Sequence, residues 1–147
     1  MKHFVAVLAV LLTVLLTLSA APVSAQNDVL IKLYSAARDA EAAGNYQLAA
    51  QQYKRIVELR PDMAEAHANL GNLYYVQGLW DQAASSFKKA IRPKASLAAP
   101  HFLLGLISFN SRDFEHAVVY LKEAERLDRA NTPAALHLGD TYFVQKK

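Results

Sequence analysis

The apolar positions in the middle of the chain fall into two helical patterns separated by a short break. His67, Leu70 and Tyr74 share one helix face, because positions three and four apart lie on the same side of an α-helix. Residues 83–91 repeat this spacing, with alanines and large apolar side chains on one face. Between the two patterns lies the glycine-containing turn Gln77-Gly78-Leu79. The pattern predicts an antiparallel pair of amphipathic helices.

The helix pair recurs with a period of 34 residues. Leu70-Gly71 is followed one period later by Leu104-Gly105 and two periods later by Leu138-Gly139. A fixed period of this length is typical of repeat proteins, in which each unit packs on the next. The predicted turns of the neighbouring repeats are Ala43-Gly44-Asn45 and Ser111-Arg112-Asp113. The predicted repeats span residues 30–63, 64–97 and 98–131, followed by a partial fourth repeat at 132–147.

A glycine stands in the middle of the apolar face of the first helix in the second, third and fourth repeats. Glycine inside a helix costs roughly 1 kcal/mol relative to alanine, so its recurrence indicates that two helices approach closely there. We expect a small residue of the second helix to face each glycine and a large residue to interlock around the contact. The glycines are Gly71, Gly105 and Gly139; the small residues are Ala49, Ala83 and Ala117; the large residues are Tyr53, Phe87 and Leu121.

The residues at the predicted helix ends agree with these boundaries. Asn45 and Asp113 stand where an N-cap side chain is wanted. Asn131 and Thr132 precede Pro133, a residue favoured at the first helical position. Pro93 comes two residues earlier than the repeat would place it, and we therefore expect the second helix of the second repeat to stop short.

The N-terminal residues have the pattern of a signal peptide. Lys2 precedes an apolar run over residues 4–18, and small residues follow, ending in Val23-Ser24-Ala25. We expect cleavage after Ala25, so that residues 1–25 are the signal peptide and residues 26–29 form a short polar N-terminal segment. The predicted location is therefore periplasmic or extracellular.

An uncleaved membrane anchor is the alternative. A membrane-spanning helix needs about 20 apolar residues, with a lower limit of about 17. The run from Phe4 to Ala21 reaches that limit, whereas Pro22 and the small residues after it favour cleavage.

Composition excludes several classes of function. The chain has no cysteine, which excludes disulfides and cysteine–zinc sites. The net charge of +3 is not gathered into a basic stripe with interleaved aromatic residues, and we expect no nucleic-acid partner. The histidines lack a metal-ligand spacing, and the polar residues form no combination of nucleophile, base and carboxylate. We therefore predict a protein that is not an enzyme and needs no metal or cofactor.

The repeat resembles the tetratricopeptide repeat (TPR), whose signature is Trp-x2-Leu-Gly-x2-Tyr, then Ala-x3-Phe, then Pro. The resemblance covers residues 30–147 and implies an all-α fold, a right-handed α-solenoid of antiparallel helix pairs with about three and a half repeats. The usual tryptophan position departs from the family. The matching residues of the second repeat are His67, Leu70, Gly71 and Tyr74, then Ala83 and Phe87; the tryptophan position holds Leu33, His67, His101 and Ala135.

The resemblance also implies a concave surface, lined by first helices, that binds a protein or peptide. One group of family members binds C-terminal carboxylates with a clamp of lysine, arginine and asparagine. Here only Asn69 matches a clamp residue, so we do not expect chaperone tails as ligands. The candidate partner-binding residues are Tyr34, Arg38, Asn69, Asn72, Tyr75, Phe102, Leu106 and Phe109.

Two functions remain open. The first is an exported interaction module or scaffold that binds a peptide or protein in its concave groove. The second is a structural or assembly subunit that associates with copies of itself, anchored to the membrane if the N-terminal segment is not cleaved. The apolar residues Leu138, Tyr142 and Phe143 predict a homodimer through the C-terminal helix. The other interpretation of these residues is that the chain is a truncated relative of a longer repeat protein.

Overall fold

The computed structural model describes residues 23–130 and 132–146, and all regular structure in those residues is α-helical. This confirms the predicted all-α repeat fold. The described helices are α1 (Val23–Ala42), α2 (Tyr46–Leu59), α3 (Ala64–Val76), α4 (Trp80–Ile91), α5 (Ala98–Asn110), α6 (Phe114–Leu127) and α7 (Thr132–Gln145).

The chain divides into two compact units, Met1–Lys32 and Leu33–Lys147. In the first unit the described residues belong to the N-terminal half of α1, where residues 25–29 are exposed. The predicted cleavage point after Ala25 and the predicted polar segment 26–29 therefore lie inside a continuous helix. The apolar run over residues 4–18 lies outside the described residues. Within them, no helix has the length and apolar content needed to cross a membrane.

The second unit contains the helix pairs, and their boundaries follow the predicted period. α3, α5 and α7 begin at residues 64, 98 and 132, while α2, α4 and α6 begin at residues 46, 80 and 114. Each predicted turn falls between the two helices of its pair. α3 packs on α4 and α5 on α6, and each second helix also packs on the first helix that follows it.

Gly71 and Gly105 are close contacts between the helices of a pair, as predicted, whereas at Gly139 nothing among the described residues lies within 4 Å of an added Cβ. A Cβ added at Gly71 would lie 2.6 Å from Cδ1 and Cε1 of Phe87. At Gly105 it would lie 2.6 Å from Cγ of Leu121 and 3.3 Å from the Leu121 backbone nitrogen. The nearest neighbours are thus Phe87 and Leu121, the large residues of the second helices that the sequence placed around these contacts. The missing side chain makes room for a ring or a branched chain that is itself fully buried.

Two histidines replace the usual tryptophan and attach the preceding loop to the core. His67 and His101 are buried, and each places Nε2 3.0 Å from a backbone carbonyl six residues earlier, Pro61 and Ala95 respectively. A carbonyl oxygen can only accept, so Nε2–H is the donor in both bonds. Repeats two and three therefore share the same hydrogen bond, from the histidine ring to a loop carbonyl, at the position that usually holds tryptophan.

The helix ends confirm two predicted caps. Asn45 Oδ1 accepts from the Leu48 backbone N–H at 3.1 Å, and Asp113 Oδ1 accepts from the His116 N–H at 3.3 Å. Leu79, at the equivalent position of the second repeat, makes no side-chain cap. The predicted cap Asn131 lies outside the described residues.

α4 ends early, as predicted from Pro93. It has 12 residues, whereas α2 and α6 have 14. The loop that follows is tied back to α3, because Lys94 Nζ lies 2.6 Å from Glu65 Oε1. This hydrogen bond lowers the pKa of the Glu65 carboxyl.

Candidate partner-binding surface

The first helices α5 and α7 pack against each other and carry a row of apolar side chains in matching register. Phe102 and Phe109 lie two turns apart on α5, and both rings contact the His137 ring of α7, with centroids 6.1 and 6.4 Å apart. One period later, Leu136 and Phe143 are each 64% exposed on α7. We call these four residues, together with the half-buried Leu106 between the two phenylalanines, the apolar row.

The apolar row contains three of the predicted site residues, Phe102, Leu106 and Phe109. Leu136 was not predicted. The signal was available in the sequence, since Leu136 stands 34 positions after Phe102. Phe143 belongs to the row by the same period, and the sequence also predicted it as a self-association residue.

A cleft lined in part by two asparagines, which we call the asparagine cleft, lies at the other end of the described first helices. It has a volume of about 300 Å³ and is open to solvent beside α3. Asn69 and Asn72, three residues apart on one face of α3, both line it, as predicted. The other lining residues are Glu41, Tyr46, Leu73 and Val76.

Asn69 also has an internal role, which the sequence did not reveal. The side chains of Asn69 and Glu41 both interact with the phenol of the buried Tyr53. Burial, and next the charge of Glu41, raise the pKa of the Tyr53 phenol to about 12. Asn72, exposed and one turn further along, is the amide left to face a ligand.

Two predicted tyrosines are partly used in packing. Tyr34 is half-buried edge-on against Tyr53, with ring centroids 5.7 Å apart, and burial raises the pKa of its phenol. Tyr75 packs edge-on against Trp80 at 5.0 Å. Arg38 is exposed on α1. All three residues border the first-helix surface. Because the rings of Tyr34 and Tyr75 pack against other rings, they expose less area to a partner than the sequence alone suggested.

The structure leaves only some of the predicted self-association residues exposed. Leu138 is buried, with 9% exposure, because it packs in the core that α7 shares with its neighbours, and it is therefore not available to a second copy. Tyr142 is 38% exposed, and Lys122 Nζ lies 5.5 Å from the centroid of its ring. The exposed apolar surface of α7 thus includes Tyr142, Phe143 and Val144, but not Leu138.

Charged groups lie outside the apolar row and form local pairs. Arg126 Nη2 lies 2.6 Å from Glu123 Oε1, and this hydrogen bond lowers the pKa of the glutamate. Asp113 bonds to the ring and the backbone of His116, which lowers the pKa of the carboxyl. Across residues 23–130 and 132–146, no group of three or more His, Asp or Glu side chains is placed to hold a metal ion.

Family models support the repeat assignment directly. Two models, both described as tetratricopeptide repeat, match residues 34–98 and residues 98–131. Superkiller complex protein 3 of Mus musculus is 32% identical over 92 residues, which are 59% of this chain and 6% of that protein. The chain thus spans a small fraction of the length of this relative.

Solved structures resemble the fold at low sequence identity. A crystal structure of MamA superposes with a TM-score of 0.76 at 23% identity, covering 81% of this chain and 65% of that one. The first TPR domain of Spaghetti (RPAP3), bound to an HSP90 peptide, gives 0.75 at 17%, covering 82% and 95%. The type III secretion translocator chaperone SycD of Yersinia enterocolitica gives 0.75 at 18%, covering 82% and 88%. The helix-pair geometry and the two matching family models agree: the chain belongs to the tetratricopeptide repeat family.

Proposed function

We propose that this chain is an exported interaction module that binds a peptide or protein partner along the surface of its first helices. The observation that carries the proposal is the apolar row. Its exposed members, Leu136 and Phe143, continue on α7 the line of Phe102 and Phe109 on α5. Exposed apolar residues in a continuous row are typical of binding surfaces, and aromatic side chains commonly dominate their energetics.

The chemistry of the surface favours an extended, largely uncharged segment of the partner. The apolar row would contact its apolar side chains, and Asn72 in the asparagine cleft offers both a donor and an acceptor to its backbone. The RPAP3 domain, of similar fold, was solved with an HSP90 peptide bound, which supports peptide binding on such a scaffold. The lysine–arginine–asparagine clamp is missing here, so the proposed partner is not an acidic C-terminal tail.

The test uses a peptide selected from a random library on the immobilised full chain. The affinity of that peptide is then measured for Leu136→Ala, Phe143→Ala and Val119→Ala. Val119 is a matched control, because it is 62% exposed but lies on the second helix α6. We expect Leu136→Ala and Phe143→Ala each to weaken binding about tenfold and Val119→Ala to leave it unchanged. Equal effects of all three changes would contradict the proposal.

Export is supported by the N-terminal sequence. Lys2, the apolar run over residues 4–18 and Val23-Ser24-Ala25 together have the order of a cleaved signal peptide. N-terminal sequencing of the protein produced in its own cells should find Gln26 as the first residue. Met1 on membrane-bound protein would instead support the uncleaved anchor.

Self-association through α7 is a second candidate, favoured by the exposure of Tyr142 and Phe143. Sedimentation over a range of concentrations should then reveal a dimer that Phe143→Ser shifts towards monomer. A monomer at high concentration would reject this candidate and leave the peptide-binding proposal intact.

A further inference from the structure

The C-terminal ends of two helices meet at the asparagine cleft. Glu41, from the last turn of α1, and Val76, the last residue of α3, both line it. The C-terminus of an α-helix carries roughly half a negative elementary charge, which a cation stabilises. Neither helix has a basic residue in its last turn to supply that cation. The two helix ends therefore give the cleft a negative potential.

Glu41 adds a negative charge that no described residue neutralises. Its side chain is half-buried, and among residues 23–130 and 132–146 it takes part in no ion pair. Arg38, one turn earlier on α1, is exposed and does not line the cleft. Tyr53 interacts with Glu41, but burial and this same charge raise the pKa of its phenol to about 12, so Tyr53 stays neutral at physiological pH. A carboxylate has about four sites for hydrogen bonds, and one phenol leaves most of them free.

The N-terminus of α2, which has the opposite polarity, also reaches the cleft at Tyr46. Asn45 Oδ1 accepts a hydrogen bond from the Leu48 N–H and so covers part of this positive end. One helix N-terminus stands against two helix C-termini and the full charge of Glu41. The balance of charge at the cleft is therefore negative.

The remaining lining residues suit a long side chain with a planar, charged head. Tyr46 is 45% exposed and offers a ring on which a cation can stack, and the exposed amide of Asn72 offers an oxygen acceptor. Leu73 and Val76 supply an apolar wall for an aliphatic stem. The volume of about 300 Å³ is at the lower end of the range for small-ligand sites, so it suits a single side chain.

We propose that the asparagine cleft binds an arginine side chain of the partner. The guanidinium group is planar, stacks on aromatic rings and donates two parallel hydrogen bonds to a carboxylate. Glu41 accepts these hydrogen bonds, Tyr46 stacks on the guanidinium, and Asn72 accepts a further bond. The position of this arginine in the segment that also contacts the apolar row rests on the proposed function, whereas the cation site itself does not. The segment is otherwise uncharged.

The probe is Nα-acetyl-arginine methylamide, and Nα-acetyl-citrulline methylamide is its control. Citrulline has the shape of arginine but no charge, so the pair of compounds isolates the effect of the charge. Each compound is titrated into the isotope-labelled full chain, and the side-chain amide signals of Asn69 and Asn72 are followed by NMR. We expect saturable shifts with the arginine compound at millimolar concentrations, and an affinity at least about tenfold lower for the citrulline compound.

Glu41→Gln in the full chain should weaken binding of the arginine compound at least about tenfold, because the charge is lost while the shape is kept. Glu58→Gln is the matched control, since Glu58 is exposed on α2 outside the cleft, and it should leave the affinity unchanged. Asn72→Asp adds a carboxylate to the cleft and should strengthen binding about threefold. This second variant tests the site even if thermal unfolding shows that Glu41→Gln, through its contact with Tyr53, does not fold.

Absence of saturable shifts, equal affinities of the arginine and citrulline compounds, or equal affinities of the wild type and a folded Glu41→Gln would overturn the proposal. A failure of Asn72→Asp to strengthen binding would do the same. A library peptide that binds through Leu136 and Phe143 but tolerates Glu41→Gln would overturn the arginine site and leave the proposed function intact. Arginine binding in the cleft, with no effect of Leu136→Ala or Phe143→Ala on the library peptide, would support the site and overturn the proposed function alone.

Discussion

Leu79, the N-cap position of α4, has the same backbone conformation as Asp113, the N-cap of α6. The φ and ψ angles are −87° and 66° at Leu79, and −85° and 72° at Asp113. Asp113 accepts a hydrogen bond from the backbone N–H three residues later, whereas Leu79 has no group that can accept one. The second repeat thus keeps the backbone conformation of an N-cap at Leu79 but lacks the capping hydrogen bond.

Leu79→Asp should therefore stabilise the protein. The backbone is already in the required conformation, and an N-cap of this kind contributes about 1 kcal/mol. Urea unfolding measures the change in the free energy of unfolding. Leu79→Ala is the control, because Leu79 is 41% exposed and its removal alone could alter solubility. An equal gain from both changes would show that the cap does not form.

Arg112→Gly should also raise the free energy of unfolding, by about 1 kcal/mol. Arg112 has φ 61°, in the left-handed region occupied one and two periods earlier by Gly78 (φ 73°) and Gly44 (φ 72°). A residue with a Cβ is destabilised by roughly 1–2 kcal/mol in this conformation. Glycine avoids that strain, but the larger conformational entropy of glycine in the unfolded chain offsets part of the benefit. Arg112→Ala keeps the Cβ and should give no comparable gain in thermal or urea unfolding. A gain from alanine as large as that from glycine would assign the effect to the loss of the arginine charge.

Alanine at the three equivalent glycines should give effects of opposite sign. Gly105→Ala and Gly71→Ala force a Cβ against Leu121 or Phe87 and should cost about 1–3 kcal/mol. Gly139→Ala meets nothing within 4 Å and should gain up to about 1 kcal/mol from helix propensity. Parallel urea titrations compare the three. A loss at Gly139 similar to that at Gly105 would mean that another part of the chain covers α7.

Tyr53 should make the stability fall at alkaline pH. Its pKa is raised from 10.0 to about 12, first by burial and then by Glu41, so the folded state favours the neutral phenol. This contribution is complete below pH 10 and is lost as the pH rises towards 12. The free energy of unfolding should therefore decline over that window. Tyr53→Phe should flatten the decline while lowering stability at neutral pH, because the interactions of its phenol with Glu41 and Asn69 are lost. An unchanged slope would contradict the assignment.

The sequence predicted the parts of the fold that depend on local periodicity. The turns, the starts of α2 to α7 and the early end of α4 follow from spacing, cap residues and Pro93. It did not predict the side-chain partners across helices. The burial of Leu138 and the interaction of Asn69 with Tyr53 depend on how the helices rotate against each other, and this rotation is set by packing.

The candidate site likewise has a part that the sequence predicted and a part that it did not. The period places Phe102, Leu106 and Phe109 on one helix face, and the structure keeps them together. Tyr75 has the same sequence character but packs on Trp80, which a helix-face argument cannot reveal. Leu136 could have been predicted from the sequence, because it stands one period after Phe102.

A methyl NMR titration of the full chain with the selected library peptide tests the central claim most directly. Leu106 and Leu136 belong to the apolar row, whereas Leu59 and Val119 are exposed on second helices. We predict that the methyl signals of Leu106 and Leu136 shift on saturation and that those of Leu59 and Val119 stay in place. Shifts at Leu59 and Val119 with the apolar row unmoved would contradict the account.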